Sequence, residues 1–191
     1  MNPENFLAIF KNTGALLEGH FVLSSGRHSP SYFQCAKVLS HPEYLTLFSG
    51  TLADHFRDSK IDSVISPAVG GIVLGTEVGR ILNKRTLFAE RENGNMTLRR
   101  GFGIDEGENI LVVEDVITTG GSAKEVIHLV ESLGGNVSGV GIIVDRSGGT
   151  VKLHENQHCI VELEAVSYAP DNLPEALKKI PIEKPGSRSL K

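Results

Sequence analysis

Residues 110–122, Ile110-Leu-Val-Val-Glu-Asp-Val-Ile-Thr-Thr-Gly-Gly-Ser122, decide how this 191-residue chain folds. An unbroken apolar run suits a strand buried on both faces, and its Glu114-Asp115 pair falls where that strand is expected to end. Carboxylates at the mouth of an apolar strand are costly to desolvate and need a polar task. Just beyond them, Thr118-Thr-Gly-Gly-Ser122 supplies hydroxyls, together with glycines that let successive backbone N–H groups turn toward an anion at the start of a helix. A phosphate monoester fits this cradle. The acids beside it fit the 2- and 3-hydroxyls of a ribose, held directly or through metal-bound water. Each part alone also has a purely structural use: the acids could cap the helix and the threonines could satisfy a turn.

The flanking sequence repeats the same alternation. After residue 122 the periodicity predicts a helix to 133, a Gly-Gly stop, a strand over 140–144 and a last β run over 159–166. Before residue 110 it predicts a strand over 63–66, a glycine turn, a helix over 72–82 and a strand over 86–89. Pro42 opens a helix that should end near Asp58, and Pro3 opens one over 3–17. Between them, residues 19–36 read as two short strands and a loop. Strands separated by helices define an α/β class with a mostly parallel twisted sheet flanked by helices. Ligands in such sheets sit at the carboxyl ends of the strands.

With 40% hydrophobic and 22% charged residues the chain suits one domain, and its 21 glycines point to tight loops. The expected division is 1–40 for an N-terminal helix and flap, 41–170 for the core, and 171–191 for a C-terminal helix and tail. That tail is either disordered or folded back on the flap. A net charge of -4 gives no bulk attraction to nucleic acid or anionic lipid. Cys35 and Cys159 stand far apart, which suggests neither a disulfide framework nor a zinc site and fits the reduced cytoplasm. The N-terminus lacks an export signal, and no apolar run is long enough to span a membrane, so neither export nor insertion is expected. His154 and His158, four apart, could begin a zinc site on a helix, although no third ligand is nearby.

The 110–122 segment closely resembles the phosphoribosyl diphosphate (PRPP) signature of type I phosphoribosyltransferases. It differs from a Walker loop because no lysine follows the glycines. Leu23-Ser-Ser-Gly-Arg-His-Ser-Pro-Ser-Tyr-Phe33 looks like the flap motif of orotate phosphoribosyltransferases, and Ser66-Pro-Ala-Val-Gly-Gly71 resembles the family's diphosphate-binding loop. Phe88-Ala-Glu-Arg-Glu92 through Arg99-Arg-Gly-Phe102 resembles the flexible catalytic loop of one bacterial subgroup, and Arg146 follows the next strand where that family places an arginine. The resemblance implies the type I phosphoribosyltransferase fold with a small N-terminal hood. It implies transfer of the 5-phosphoribosyl group from PRPP to orotate, giving orotidine 5-phosphate and diphosphate in pyrimidine biosynthesis. It also implies a homodimer whose lid reaches the neighbouring active site, with no nucleic-acid or membrane partner. Mg²⁺ is the implied cofactor, carried by PRPP and water near Glu114 and Asp115 with no direct protein ligand.

By that resemblance, PRPP falls to Glu114, Asp115, Val116, Ile117, Thr118, Thr119, Gly120, Gly121 and Ser122, to Val69, Gly70 and Gly71, and to Arg91, Arg99 and Arg100. Orotate falls to Thr118, Arg146, Tyr32 and Phe33, and catalysis to Glu114, Asp115 and Arg91. A planar anion bearing a carboxylate does call for a guanidinium. Arg146 could equally be a surface cation beside Asp145, and Tyr32 and Phe33 could be flap core. Residues 91–100 carry three arginines and few apolar anchors, as a mobile lid or a plain solvated loop would. Many family members have Lys-Ser-Gly in the flap, Tyr-Lys in the diphosphate loop and a lysine-rich lid with histidine. Here Ser24, Val69-Gly70 and arginines stand instead, so the lid arginines would supply the missing charge. Two rivals remain: transfer to another nucleobase, and a PRPP-sensing regulator that binds nucleic acid, which the acidic charge disfavours.

Overall fold

The computed structural model describes residues 3–23, 26–164 and 166–183. Helix α1 spans Pro3–Asn12 and ends well before residue 17. Gly14 stops it in the left-handed region at φ 63°, with Gly14 N–H donating to Lys11 O and Ala15 N–H to Phe10 O at 2.8 Å. Leu16 and Leu17, which fit the helical pattern, therefore open strand β1 (Leu16–Val22). It pairs antiparallel with β2 (His28–Phe33), the two short strands expected of the flap. A short helix α2 (Cys35–Leu39), which the sequence did not announce, then turns the chain toward the core.

Helix α3 (Pro42–His55) starts on its proline and buries Phe48 and Leu52. Next come β3 (Ser63–Pro67), α4 (Gly70–Leu82), β4 (Arg85–Glu92), β5 (Asn95–Leu98), β6 (Asn109–Ile117), α5 (Gly121–Ser132), β7 (Asn136–Asp145) and β8 (Gln157–Glu162). The six strands form one sheet in the order β5-β4-β3-β6-β7-β8, parallel throughout except for the β4–β5 pair. Successive residues of β6 feed opposite cores: Leu111 and Val113 pack with α1, α3 and α4, whereas Ile110 and Val112 pack with Val126 and Val130 of α5. Burial on both faces explains the unbroken apolar run, since each such side chain contributes roughly 1.5–3 kcal/mol when fully buried. From β3 the chain crosses to β4 on one side, and from β6 to β7 on the other. The crevice between the carboxyl ends of β3 and β6 is thus the switch point where ligands bind in open α/β sheets.

Three boundaries differ from expectation. β6 continues to Ile117, so Glu114 and Asp115 lie inside the strand, because the ladder to β7 runs on to the Ile117–Asp145 pair. The last β run stops at Glu162, with isolated Ser147–Glu164 and His28–Tyr168 bridges beyond. The 91–100 segment is no irregular loop. It is a hairpin whose Asn93-Gly94 turn has φ 51° and 86°, the left-handed pair a two-residue hairpin turn demands, and Met96, Leu98 and Phe102 pack on the core.

At the far end, α6 (Glu175–Lys178) leads into β9 (Ile182–Glu183), which pairs parallel with β1 and completes a three-stranded sheet β2-β1-β9. The C-terminal segment thus folds back on the flap as far as residue 183. His20 Nδ1 donates to the Ile180 carbonyl at 3.1 Å, and its Nε2 lies 2.6 Å from His28 Nδ1, inside the flap. Ser24 and residues 184–191 lie outside the described residues.

Candidate active site

Two adjoining cavities open at the switch point. The larger, about 970 Å³, is lined by Tyr32 and Phe33 from the flap, Val69 and Gly70 from the β3–α4 turn, and Arg91 from β4. Glu114, Asp115, Val116, Thr118, Ser122 and Arg146 also line it. The smaller, about 170 Å³, lies over the Thr118–Ser122 loop and adds Ile117, Thr119, Gly120, Gly121 and Glu125. The volume of the first suits a small-molecule substrate. Gly71, Arg99 and Arg100, which the family resemblance puts on the ligand, line neither cavity.

The loop has the backbone geometry of an anion cradle. Gly120 sits at φ 70°, and a Cβ there would lie 2.9 Å from Val151 Cγ1 and 2.8 Å from Leu153 Cδ2, so only glycine fits. It is the N-cap of α5, which has neither a side-chain cap nor an acid in its first turn. The N–H groups of that turn are left for a ligand at the positive end of the helix dipole. Helix α4 begins the same way, at Val69, without a side-chain cap or an early acid. Two helix N-termini therefore serve one crevice, and Gly70 keeps α4 close to the acids: a Cβ there would lie 2.5 Å from Asp115 Oδ2.

Glu114 is buried and Asp115 half-buried. The Asp115 N–H donates to Glu114 Oε1 at 3.3 Å, and the Val116 N–H donates to Asp115 Oδ1 at 2.9 Å. Burial, reinforced by the Asp115 charge, holds the Glu114 carboxyl well above the usual range, and burial also raises Asp115. Such a pair accepts hydrogen bonds readily and resists double ionisation. Among the described residues no cluster of three or more His, Cys, Asp or Glu could hold a metal directly. The donor set fits a magnesium ion only through its water ligands, as suits an ion that stays hydrated and rides on substrate phosphates.

Arg91 bridges the hairpin and the phosphate loop. Its Nη1 donates to Gly94 O at 2.9 Å and its Nη2 to Glu125 Oε1 at 2.8 Å. Arg100 instead pairs with Glu90 and lies over the Phe88 ring, and Arg99 pairs with Glu92 at 3.4 Å.

Arg146 is not a surface cation. It is 5% exposed, and its Nη2 donates to Ser29 Oγ and to the Ser31 carbonyl, each at 3.2 Å. Its guanidinium lies 5.9 Å from the Phe33 ring centroid. Among the described residues no carboxylate pairs with it, and Nε has no partner. Asp145 does not neutralise it: Asp145 Oδ1 accepts from the Ser147 N–H at 2.7 Å. Burial pulls the Arg146 pKa down, an effect that the nearby Tyr32 opposes. Phe33 is both cavity wall and core, packing edge-on against Phe10, while Tyr32 lies beside Phe21.

Sequence reading misses the contributions of Gln34, Ala36, Leu39 and Ser40 to the cavity and the hold of Ser29 and Ser31 on Arg146. The Ser29-Pro-Ser31 stretch reads as turn chemistry within the flap motif, with no sign of a bond to Arg146. His154 and His158 share no helix: His158 stacks on His55 at 4.0 Å, and His154 Nδ1 accepts from the Asn156 N–H.

Residues 35–170 match the phosphoribosyl transferase domain family. An orotate phosphoribosyltransferase of Chlorobaculum parvum is 59% identical over 189 residues, covering 99% of this chain and 98% of the relative. Among solved structures, orotate phosphoribosyltransferase from Aeropyrum pernix superposes with a TM-score of 0.69 at 25% identity, over 82% of this chain and 93% of that one. Adenine phosphoribosyltransferase from Thermoanaerobacter pseudethanolicus shares the fold, with a TM-score of 0.62 at 18% identity over 70% of this chain and 88% of that one.

Proposed function

We infer the chemistry from one premise: the chain belongs to the orotate phosphoribosyltransferase family, and it transfers the 5-phosphoribosyl group of PRPP to orotate in pyrimidine biosynthesis. The products are orotidine 5-phosphate and diphosphate. The observation that carries the choice of base is Arg146, a buried cation lining the cavity with no carboxylate to answer it among the described residues. An acceptor that brings its own carboxylate supplies the missing charge, and a neutral purine does not.

We assign the 5-phosphate to the Thr118–Ser122 loop and the ribose hydroxyls to Glu114 and Asp115. Val116 and Ile117 carry the backbone between these two tasks. The diphosphate goes to the start of α4, at Val69 to Gly71, with Arg91 above it. Orotate goes between Thr118, Tyr32, Phe33 and Arg146. Supporting this arrangement, acids, phosphate loop and arginine share one crevice with both uncapped helix ends. As the glycosidic bond to diphosphate lengthens, the anomeric carbon becomes oxocarbenium-like. Arg91 is then placed to absorb charge on the leaving group, and the buried Glu114 and Asp115 hold the ribose in line. Mg²⁺, when bound with PRPP, supplies further positive charge to the diphosphate. No covalent nucleophile is required.

We further assign residues 1–40 to the flap, 41–170 to the core and 171–191 to a segment packing with the flap, supported by β9 lying beside β1. The active form is a homodimer in which the β4–β5 hairpin reaches the neighbouring site, Arg99 and Arg100 included. The position of that hairpin at the open edge of the sheet supports this. The reduced cytoplasm suits the two free cysteines, Cys35 and Cys159.

Steady-state turnover with PRPP and Mg²⁺ tests the base. Orotate should react while uracil, adenine, hypoxanthine and guanine do not. Turnover with a purine alone would overturn the assignment, and PRPP binding without turnover on any base would favour a regulator. Mixing Arg99→Ala/Arg100→Ala subunits with Asp115→Asn subunits tests the shared site: regained activity supports a hairpin acting across the dimer, and none refutes it.

A further inference from the structure

Arg146 reaches the cavity from the end of β7, but its orientation is set from the flap. Nη2 donates to Ser29 Oγ and to the Ser31 carbonyl, while Nε has no partner among the described residues. Ser29 is fully buried on β2. A hydroxyl has one proton and two lone pairs. The proton goes to the Val166 carbonyl at 3.0 Å, and the lone pairs accept from Arg146 Nη2 at 3.2 Å and from the Ser31 N–H at 3.3 Å. Every hydrogen-bonding valence of Ser29 is therefore used within the protein, and none is left to hold a ligand. The segment holding its proton is itself fixed, because His28 and Tyr168 exchange backbone hydrogen bonds at 2.9 and 2.8 Å next to it.

We propose that Ser29 is a specificity-determining positioning residue: its hydroxyl, clamped between the Val166 carbonyl and the Arg146 guanidinium, sets the orientation in which Arg146 meets the carboxylate of the acceptor base. This rests on the reading of Arg146 as the carboxylate partner. An arginine side chain has many rotamers, and an unheld one would lose its ordering entropy each time the anion binds. A charge-assisted bond to Ser29 removes that freedom in advance and leaves the remaining N–H donors of the guanidinium for the ligand. Serine suits the task because it can accept from two donors while its own proton is anchored elsewhere. Alanine keeps the volume of the strand position nearly unchanged and loses all three bonds.

The test is a double-mutant cycle read in KM for each substrate. Ser29→Ala should raise the orotate KM about tenfold, the worth of one hydrogen bond to a charged group, and leave the PRPP KM within about twofold. In an Arg146→Ala background the same change should alter the orotate KM by less than about twofold, because there is no guanidinium left to position. Ser29→Thr, which retains the hydroxyl, should recover most of the orotate affinity. Equal rises in both KM values, an undiminished effect in the Arg146→Ala background, or an Ser29→Ala protein that no longer binds PRPP by calorimetry would each make Ser29 a structural residue of the flap and overturn the proposal. If Arg146→Ala itself leaves the orotate KM unchanged, the carboxylate reading fails instead, whatever Ser29 does.

Discussion

The two halves of the cavity are made in opposite ways. The donor half, as we assign it, has its ribose 5-phosphate end on one contiguous stretch, β6 and the loop into α5, carried on a strand buried from both sides, with the start of α4 and Arg91 added at the diphosphate end. The acceptor half is assembled from β2, the end of β7 and residue 166, joined by hydrogen bonds between residues 117 and 137 positions apart. A contiguous site inherits its rigidity from a central strand. An assembled site depends on long-range interactions that must all be in place together. Changes in the donor half should therefore damage chemistry, and changes in the acceptor half should damage recognition.

The largest effect is expected at Asp115. Asp115→Asn keeps the shape but removes charge from the ribose interaction, and should lower kcat by about a hundredfold or more, within the range for removing one transition-state interaction in a closed site. A kcat within about threefold of wild type would remove Asp115 from the catalytic group. Arg146→Ala comes next, with the orotate KM raised about thirtyfold, as expected when a buried ligand carboxylate is deprived of its charged hydrogen-bond donor, and with smaller changes in kcat and PRPP KM. Should kcat collapse while orotate KM stays put, the division between the two halves would be wrong.

The smallest effect is on stability. Glu114 has its carboxyl pKa raised in the folded state by burial and by Asp115. The native protein thus binds more protons than the unfolded chain between the ordinary carboxylate pKa of about 4.3 and the raised value, so stability falls as pH climbs through that window. Glu114→Gln removes this penalty. In the ligand-free protein it should raise Tm by about 2–4 °C at about pH 8, with the gain shrinking toward zero below about pH 4. A Tm difference that does not vary with pH would show that the buried charge costs nothing.

The same contrast explains what can be read beforehand. Thr118 to Ser122 is legible because the chemistry and the backbone requirement coincide in neighbouring residues; Gly120 must be glycine for steric and dihedral reasons alike. The clamp of Ser29 on Arg146 is not, since no periodicity marks a bond between residues so far apart. Helix α1 is shorter than its pattern suggests because Leu16 and Leu17 satisfy both a helical stripe and a strand, and only Gly14 distinguishes the two. The hairpin has its signal in Asn93-Gly94, but the many charges around it mask the strands. Arg146 can be placed at a strand end from sequence. Its burial without a carboxylate partner among the described residues, the observation on which our assignment rests, depends on the flap closing over it.

The pairing of β9 with β1 also sets a schedule. A chain emerging from the ribosome delivers every residue of the phosphate loop and of the strands around it well before residue 183 appears. The PRPP side can fold while translation continues. The flap, whose first strand precedes the core, must wait for residue 183 before its small sheet is whole. A nascent chain would thus hold its phosphate loop formed before β9 arrives to close the flap sheet, and any recognition that depends on the flap comes last of the two.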